Sequence, residues 1–249
     1  MAHDGPSFYD DEGVFEAYRQ LRATPGNAND TLEGPAFHGL LGDVRGHDVL
    51  DLGCGDGAFG CELLASGAAS YRGIDASRRM IERAELALRD TAARLRCVEL
   101  DAWAREAEGE EIAGSVSRAC ARLVLHYIVD LRPLLRAVHR VLRDDGLFVF
   151  SVEHPIQTSR MVTRSERLAT GWRVDDYFES GPRVSHWLGS EVVKYHRTLE
   201  EHVQALQESG FRIEGLRESA PSRALISDER TWRHRRSFPL FLVMSASRR

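Results

Sequence analysis

The sequence predicts an α/β fold, with a mostly parallel sheet, helices on both of its faces and an antiparallel last strand. Short apolar runs alternate with segments whose apolar residues recur every three to four positions, as strands and helices do around parallel sheets. The first run, at residues 48–52, ends in a cluster of glycines. No helical pattern separates the last two runs, which predicts a hairpin-like antiparallel edge.

The first half of the chain predicts four strands and four helices. Helices are indicated by apolar residues on one side of a 3.6-residue turn, and strands by short apolar runs. Ser77 can cap the helix after the second strand, and Arg118 interrupts the fourth strand. In order, the elements are helices at 12–22 and 35–44, a strand at 48–52, a helix at 58–66, a strand at 71–74, a helix at 77–90, and strands at 95–100 and 115–121.

The second half predicts the remaining three strands. Leu131, Leu134, Leu135 and Val138 repeat at helical spacing, and the run after Gly146 is nearly all apolar, as in a central strand. Residues 217–237 are charged and predict irregular structure. The predicted elements are helices at 131–142 and 198–209 and strands at 147–152, 211–216 and 238–245.

Composition changes after residue 153, where Gly, Pro, Trp, Tyr and charged residues occur without a regular period. A lid that excludes water and holds an aromatic substrate would carry such residues, and so would a dimer contact. Trp172 lies in this insertion, and the candidates for substrate binding there are Tyr177, Arg183, His186 and Trp187. We divide a single domain, residues 1–249, into an N-terminal helical cap (1–44), a core (45–153), a lid-like insertion (154–193) and a C-terminal part of the core (194–249).

The composition excludes several classes of protein. With 249 residues, 43% hydrophobic and 29% charged, the chain is typical of globular proteins, and its net charge of −5 argues against general nucleic-acid binding. The four cysteines form no C-x-x-C pair and none lies at zinc spacing from a histidine, so we predict no metal site and a reduced, cytoplasmic compartment. No apolar run approaches about 18 residues, so no membrane span is predicted.

The glycine cluster after the first strand is the sharpest local signal. Gly53, Gly55 and Gly57 alternate between that strand and the next helix, where glycine allows a tight turn and close approach of a ligand to the backbone. Asp75 ends the second strand, 24 residues after Asp51, and an acidic residue there can accept hydrogen bonds from ribose hydroxyls. The pattern predicts a nucleoside-containing cofactor, unless the glycines serve packing alone.

Two cofactor classes use this geometry, and charge separates them. A dinucleotide places an anionic pyrophosphate over the glycines, where Asp51 and Asp56 would repel it. S-adenosylmethionine (SAM) carries a sulfonium and an ammonium against one carboxylate, so acidic residues favour it. The loop therefore favours SAM over NAD.

Several stretches resemble the motifs of class I SAM-dependent methyltransferases, and together they span residues 45–155. The resemblance implies a Rossmann-like seven-stranded sheet, methyl transfer, and S-adenosylhomocysteine as the cofactor product. Residues 150–155 also resemble a bacterial subgroup that acts on small molecules. The stretches are 49–59 for motif I, 71–77 with Met80 for motif II, 100–103 for the adenine carboxylate, and 123–127 and 146–152 for the later motifs.

The resemblance also implies roles for individual residues. Asp75 would hold the ribose and Asp101 the adenine, although Asp101 could instead cap a helix after the third strand. Tyr18 and Arg22 would close over the cofactor, or else serve as packing and a surface charge. The residues implied to bind the cofactor are Tyr18, Arg22, Asp51, Gly53, Cys54, Gly55, Gly57, Asp75, Ala76, Met80, Asp101, Ala102 and Trp103.

Three residues are candidates for catalysis. His126, Glu153 and His154 follow the fourth and fifth strands, and ligands bind at that edge of open α/β sheets. A base is needed only if the nucleophile arrives protonated, and histidine is suited to take a proton near neutral pH. His126 could instead pack against the next helix, and His154 could serve only to turn the chain before Pro155.

We predict from these observations a cytoplasmic enzyme that methylates an O or N nucleophile of a small, aromatic or natural-product-type metabolite, as a monomer or homodimer. The alternatives are a methyltransferase for a peptide amine or RNA, and a protein that binds SAM without transferring methyl. Arg122 departs from the resembled family, which has small hydroxylated residues there; it alters the pocket wall or pairs with an acid.

Overall fold

The computed structural model describes residues 3–107, 113–159 and 174–248. Seven of the strands form one sheet and two form a separate hairpin. The strands are β1 (Asp48–Leu52), β2 (Ser70–Asp75), β3 (Arg94–Cys97), β4 (Val116–Arg122), β5 (Leu142–Glu153), β6 (Gly181–Trp187), β7 (Ser190–His196), β8 (Phe211–Glu218) and β9 (Phe241–Arg248). The α-helices are α1 (Gly5–Phe8), α2 (Glu12–Ala23), α3 (Gly34–Leu41), α4 (Ala58–Ala65), α5 (Arg78–Leu88), α6 (Leu100–Glu106), α7 (Leu131–Val141), α8 (Pro155–Ser159), α9 (Leu199–Glu208) and α10 (Glu229–Arg235).

The main sheet has the order β3-β2-β1-β4-β5-β9-β8. Strands β1 to β5 pair in parallel, and β9 runs antiparallel to both β5 and β8. This confirms the predicted seven-stranded, mostly parallel sheet with an antiparallel last strand. One detail was wrong, because α10 lies between β8 and β9 in the chain, where no helix was predicted.

Apolar side chains fill both faces of the sheet. One face packs against α6, α7 and α9, and Leu134 and Val138 of α7 are fully buried there. The other face packs against α3, α4 and α5 around Phe37 and Tyr71. Burying each such side chain contributes about 1.5–3 kcal/mol, so the two layers fix the positions of the strand ends.

The third strand ends earlier than the predicted residues 95–100. β3 is an edge strand whose side chains are mostly exposed, and Leu100 begins α6 instead. Leu100 is buried in the apolar core on the face that α6 and α7 cover.

The predicted insertion at 154–193 contains regular structure that its sequence did not indicate. After α8, strands β6 and β7 pair antiparallel as a two-stranded sheet of their own. Val192, Lys194 and His196 alternate along β7 and are all buried on its inner face. Trp172 lies outside the described residues.

The N-terminal segment joins this hairpin to the main sheet. His3 makes a parallel bridge with Val192, and Phe8 packs with Val14 and Val192 in a small apolar cluster. The Asp10 carboxylate accepts hydrogen bonds from the Ser77 hydroxyl and the Arg79 amide at the start of α5. Residues 3–23 therefore connect the hairpin to the edge of the sheet where β1 and β2 end.

No helix within the described ranges is long and apolar enough to cross a bilayer.

His202 on α9 gives a testable dependence of stability on pH. It is buried, its Nδ1 has no hydrogen-bond partner in the described part of the chain, and burial followed by the Arg197 charge lowers its pKa to about 3. Between that value and the unfolded pKa of about 6.5, the unfolded chain binds a proton that the folded chain does not, so acid removes stability. We expect the free energy of unfolding of His202→Leu, measured in urea, to rise by about 2 kcal/mol relative to that of wild type when the pH falls from 7 to 5. An unfolding free energy that depends on pH in the same way in both proteins would contradict this.

Candidate active site

A cavity of about 1160 Å³ opens at the carboxyl ends of the parallel strands. Asp75, Arg122 and Glu153 are the last residues of β2, β4 and β5, and all three line it. The N-terminal segment and the β6–β7 hairpin close its other sides through Tyr9 and Trp187. This is the edge at which open α/β sheets bind ligands.

The glycine loop forms one wall of the cavity. Gly53 and Gly57 have φ values of +74° and +80°, and a Cβ would lie 2.7 Å from the Val124 side chain at Gly53 and 2.9 Å from Ala84 at Gly57. A side chain at either position would therefore be both strained and in collision. The amides of Gly53 and Cys54 donate to the Ile74 carbonyl, which ties the loop to β2.

Two carboxylates stand beside this loop. The oxygens of Asp75 accept hydrogen bonds from the amides of Gly55 and Ser77, both at 2.9 Å, and burial raises the Asp75 pKa. Asp51 is 1% exposed, and one of its oxygens accepts the Tyr71 hydroxyl at 2.7 Å. Its other oxygen, Oδ1, has no hydrogen-bond partner among the residues described, and burial raises the Asp51 pKa to about 6.

This wall fits the predicted cofactor. A buried carboxylate with an unpartnered oxygen is stabilised by a cation or donor, which the ammonium of SAM supplies, whereas a pyrophosphate would be repelled. A Cβ at Gly55 would meet nothing within 4 Å, so the backbone there lies open to the cavity. Of the residues implied to bind the cofactor, those lining the cavity are Tyr18, Arg22, Asp51, Gly53, Cys54, Gly55, Asp75, Ala76 and Met80.

The residues predicted near the adenine lie elsewhere. Asp101, Ala102 and Trp103 belong to α6 and do not line the cavity, whereas Leu100 does. Trp103 is buried in the core, and Asp101 lies in the first turn of α6, where an acid stabilises the helix dipole. Asp101 is not the helix cap either, because the N-cap position of α6 is Glu99. Gly57 also does not line the cavity; it precedes α4.

His154 is separated from the cavity as well, contrary to its predicted catalytic role. It is 3% exposed, its Nε2 lies 3.0 Å from Glu218 Oε1, and its Nδ1 accepts the amide of Ile156. Both ring nitrogens are thereby engaged at the start of α8, and the histidine turns the chain.

Tyr177 and Arg183, predicted to bind the substrate, instead form hydrogen bonds within the fold. The Tyr177 hydroxyl accepts the Leu199 amide at the start of α9, and its carbonyl binds His196. The Arg183 guanidinium donates to the carbonyls of Ser159, Pro182 and Glu179. Neither residue lines the cavity, whereas His186 and Trp187 do.

The end of the cavity formed by the β6–β7 hairpin carries a buried ion pair. Lys194 is 2% exposed, and its Nζ lies 2.5 Å from Glu153 Oε1. Burial is the largest influence and raises the pKa of Glu153, but the Lys194 charge, the nearby His126 and the hydrogen bond from Lys194 together outweigh it and hold that pKa below its usual range. Glu153 is therefore ionised at neutral pH.

Aromatic rings and a neutral histidine surround this pair. The Lys194 Nζ lies 5.3 Å from the Trp187 ring centroid and 6.0 Å from that of Tyr127, within range of cation–π attraction. The hydroxyls of Tyr9 and Tyr127 are 3.2 Å apart. Burial lowers the pKa of His126 to about 3, so its imidazole is neutral and its Nδ1 has no hydrogen-bond partner within the described residues.

Sequence reasoning missed Lys194, Tyr9 and Tyr127 at this end of the cavity. Lys194 is the only lysine of the chain, and it occupies the middle of the alternation Val192-x-Lys194-x-His196. That period of two was a usable signal for a strand with a lysine on its inner face. The two tyrosines carried no comparable signal, because they are 118 residues apart and meet only in the fold.

Arg122 pairs with an acidic residue, which is one of the two roles predicted for it. Its guanidinium contacts both oxygens of Glu33, at 3.1 and 2.5 Å, and lies over the rings of Phe37 and Phe59. Glu33 is fully buried and also accepts the Ser151 hydroxyl at 2.7 Å.

Comparison with known proteins agrees with the cavity's chemistry. A family profile described as a methyltransferase domain matches residues 50–148. An SAM-dependent methyltransferase from Mesorhizobium loti superposes with a TM-score of 0.77 at 36% identity, covering 87% of this chain and 97% of that one. An uncharacterized protein of Haemophilus influenzae is 31% identical over 231 residues, which is 91% of this chain and 89% of the relative.

A partial match points to a named methyltransferase. The ubiquinone biosynthesis O-methyltransferase of Neisseria meningitidis serogroup C is 30% identical over 131 residues, which is 51% of this chain and 53% of that enzyme. The near full-length likeness to the Mesorhizobium loti enzyme, the family profile and the acidic glycine loop agree with one another. This chain belongs to the SAM-dependent methyltransferases.

Proposed function

We propose that this enzyme transfers the methyl group of SAM to an oxygen or nitrogen nucleophile of a small, aromatic metabolite. The observation that carries the proposal is a single cavity with two unlike ends, the acidic glycine loop and the ion pair Lys194–Glu153 among aromatic rings. Ligand pockets are commonly about 300–1,000 Å³, so a cavity of about 1160 Å³ is large enough for the cofactor with a compact acceptor.

The first end would hold the cofactor. Asp51 would receive the ammonium at its unpartnered oxygen, and Asp75 would accept the ribose hydroxyls. Tyr18, Ala76 and Met80 line the same part of the cavity and would cover the bound nucleoside. When bound, SAM supplies an electrophilic methyl group on a cationic sulfonium.

The second end would position the acceptor. The aromatic side chains of Tyr9, Tyr127 and Trp187 exclude water, and holding a nucleophile in line with a methyl group supplies much of the acceleration in such transfers. Glu153 is ionised and His126 is neutral, so either can accept a hydrogen bond from a hydroxyl or a neutral amine.

Several finer assignments belong to this proposal. The partial likeness to an O-methyltransferase supports oxygen as the nucleophile. The stretch at residues 151–155, Ser-Val-Glu-His-Pro, supports membership of the bacterial small-molecule subgroup. We also propose that the protein works in the cytoplasm as a monomer or homodimer and does not act on nucleic acid.

Methyl-labelled SAM tests the proposal. The protein is incubated with a host extract divided into small-molecule, RNA and protein fractions, and a Glu153→Gln variant serves as the matched control. We expect label in the small-molecule fraction with wild type and a strong decrease with the variant. Label confined to protein or RNA would overturn the small-molecule assignment, and no label despite cofactor binding would overturn transfer itself.

A further inference from the structure

Lys194 is an unusual residue to find at the inner end of a methyl-transfer cavity. It is the only lysine among 33 cationic residues of Lys and Arg, and it is 2% exposed. Lysine is almost never fully buried unless its charge is paired. Replacing both members of a buried ion pair with apolar residues is often neutral or stabilising. Stability of the fold alone is therefore a weak explanation for a buried lysine at this position.

The hydrogen bonds of Lys194 are incomplete. An ammonium has three donors, and within the described residues one of them reaches Glu153 at 2.5 Å. The faces of Trp187 and Tyr127 attract the charge but accept no conventional hydrogen bond. Because Lys194 lines the cavity, its remaining donors are available to a ligand there.

The other titratable side chains around Lys194 and Glu153 are uncharged. Burial raises the pKa values of Tyr127 and Tyr9, so both phenols stay neutral, and His126 is neutral as well. Arg197, the next cation along the chain, donates to the carbonyls of Ile128 and Val129. The charged groups here are Lys194 and the Glu153 carboxylate that it contacts. An anionic oxygen would be attracted by Lys194 and repelled by Glu153, so it would have to take a remaining ammonium donor on the side away from Glu153.

We propose that Lys194 binds the methyl acceptor through an anionic oxygen, and that the acceptor is a phenol-type compound bound as its phenolate. The enclosure by Tyr9, Tyr127 and Trp187 suits a planar ring, because aromatic rings pack edge to face and offset. The hydroxyl proton is released to solvent on binding, so the oxygen arrives as an anion and needs no base. Its bond to the methyl carbon would form as the carbon–sulfur bond of SAM breaks, with S-adenosylhomocysteine as the leaving group. This inference rests on the proposed function, since it assigns the acceptor of that same site.

The proposal predicts that the protein stabilises a phenolate without any turnover. The probe is 4-nitrophenol, whose anion is yellow and whose neutral form is colourless, titrated with pH in the presence of excess protein and S-adenosylhomocysteine. We expect wild type to lower the probe's titration midpoint by about one pH unit, which corresponds to about tenfold tighter binding of the anion. Lys194→Met should abolish this shift, and Lys194→Arg should retain most of it.

Controls separate the inference from loss of folding and from the proposed function. Arg212→Met removes an exposed cation on β8 and should titrate the probe as wild type does. Should Lys194→Met not fold, wild type alone decides, because 4-nitroanisole, which cannot ionise, should bind about tenfold more weakly than 4-nitrophenol. An equal midpoint in wild type and a folded Lys194→Met, or equal affinity for the two probes, would overturn the inference. Transfer of the labelled methyl group to a small-molecule amine would also overturn the inference. That result would still support the proposed function, which is methylation of a small molecule.

Discussion

Replacing Asp75 by alanine should weaken binding of S-adenosylhomocysteine by about 100-fold, because the variant would lose the two charge-assisted hydrogen bonds, of about 1.5 kcal/mol or more each, that we propose Asp75 makes to the ribose hydroxyls. Asp75 ends β2 beside the glycine loop and lines the cavity. The measurement is calorimetric titration of the purified protein, and it requires no knowledge of the methyl acceptor. Unchanged affinity would overturn the assignment of Asp75 to the ribose.

Weak binding by Asp75→Ala could have two causes, loss of the contact to the ribose or disturbance of the glycine loop. Asp75 also accepts the amides of Gly55 and Ser77, so its removal could loosen the loop rather than delete a ligand contact. The 2′,3′-dideoxy analogue of S-adenosylhomocysteine distinguishes the two. Wild type should bind this analogue much more weakly than the intact nucleoside, and Asp75→Ala should bind both alike. Asp90→Ala, at a side chain 88% exposed, is the matched control and should behave as wild type.

The glycine-loop wall of the cavity could be predicted because its signals are local. Gly53 and Gly55 lie close together in one loop, and Asp75 follows at the end of the neighbouring strand. Parallel strands place their carboxyl ends at one edge, so pattern and topology together bring these residues into contact. The same locality explains why α7, with its clear helical period, matched its predicted bounds within one residue.

Around the Lys194–Glu153 pair only part of the cavity wall was predicted, because these residues meet only through tertiary packing. Glu153 was among the candidates, whereas Lys194 was not. Glu153 and Lys194 are 41 residues apart, and the hairpin that joins them was taken for irregular structure. Of the two candidates predicted at the end of β5, Glu153 lines the cavity, while His154 turns away toward Glu218. Adjacent side chains along an extended chain point to opposite faces, so two neighbouring candidates do not both face the cavity.

Replacing Arg122 by leucine should destabilise the fold by about 3–5 kcal/mol, because it leaves the carboxylate of Glu33 buried without its cation. Glu33 is 0% exposed, and Arg122 provides the two contacts at 3.1 and 2.5 Å. The Ser151 hydroxyl, which would remain, is a neutral donor and cannot replace the guanidinium. Guanidinium chloride unfolding measures the loss.

The double variant Glu33→Leu, Arg122→Leu is the informative partner of that experiment. Replacing both members of a buried pair with apolar residues is often neutral or stabilising, so the double variant should recover most of the stability lost in Arg122→Leu. The rings of Phe37 and Phe59, which now face the guanidinium, would then pack against aliphatic side chains. If the double variant is as unstable as the sum of two independent losses, the pair is not coupled and Arg122 stabilises the fold through packing alone. Strong coupling would show instead that Arg122, the last residue of β4, stabilises the fold by neutralising Glu33 in the wall that also holds Asp51.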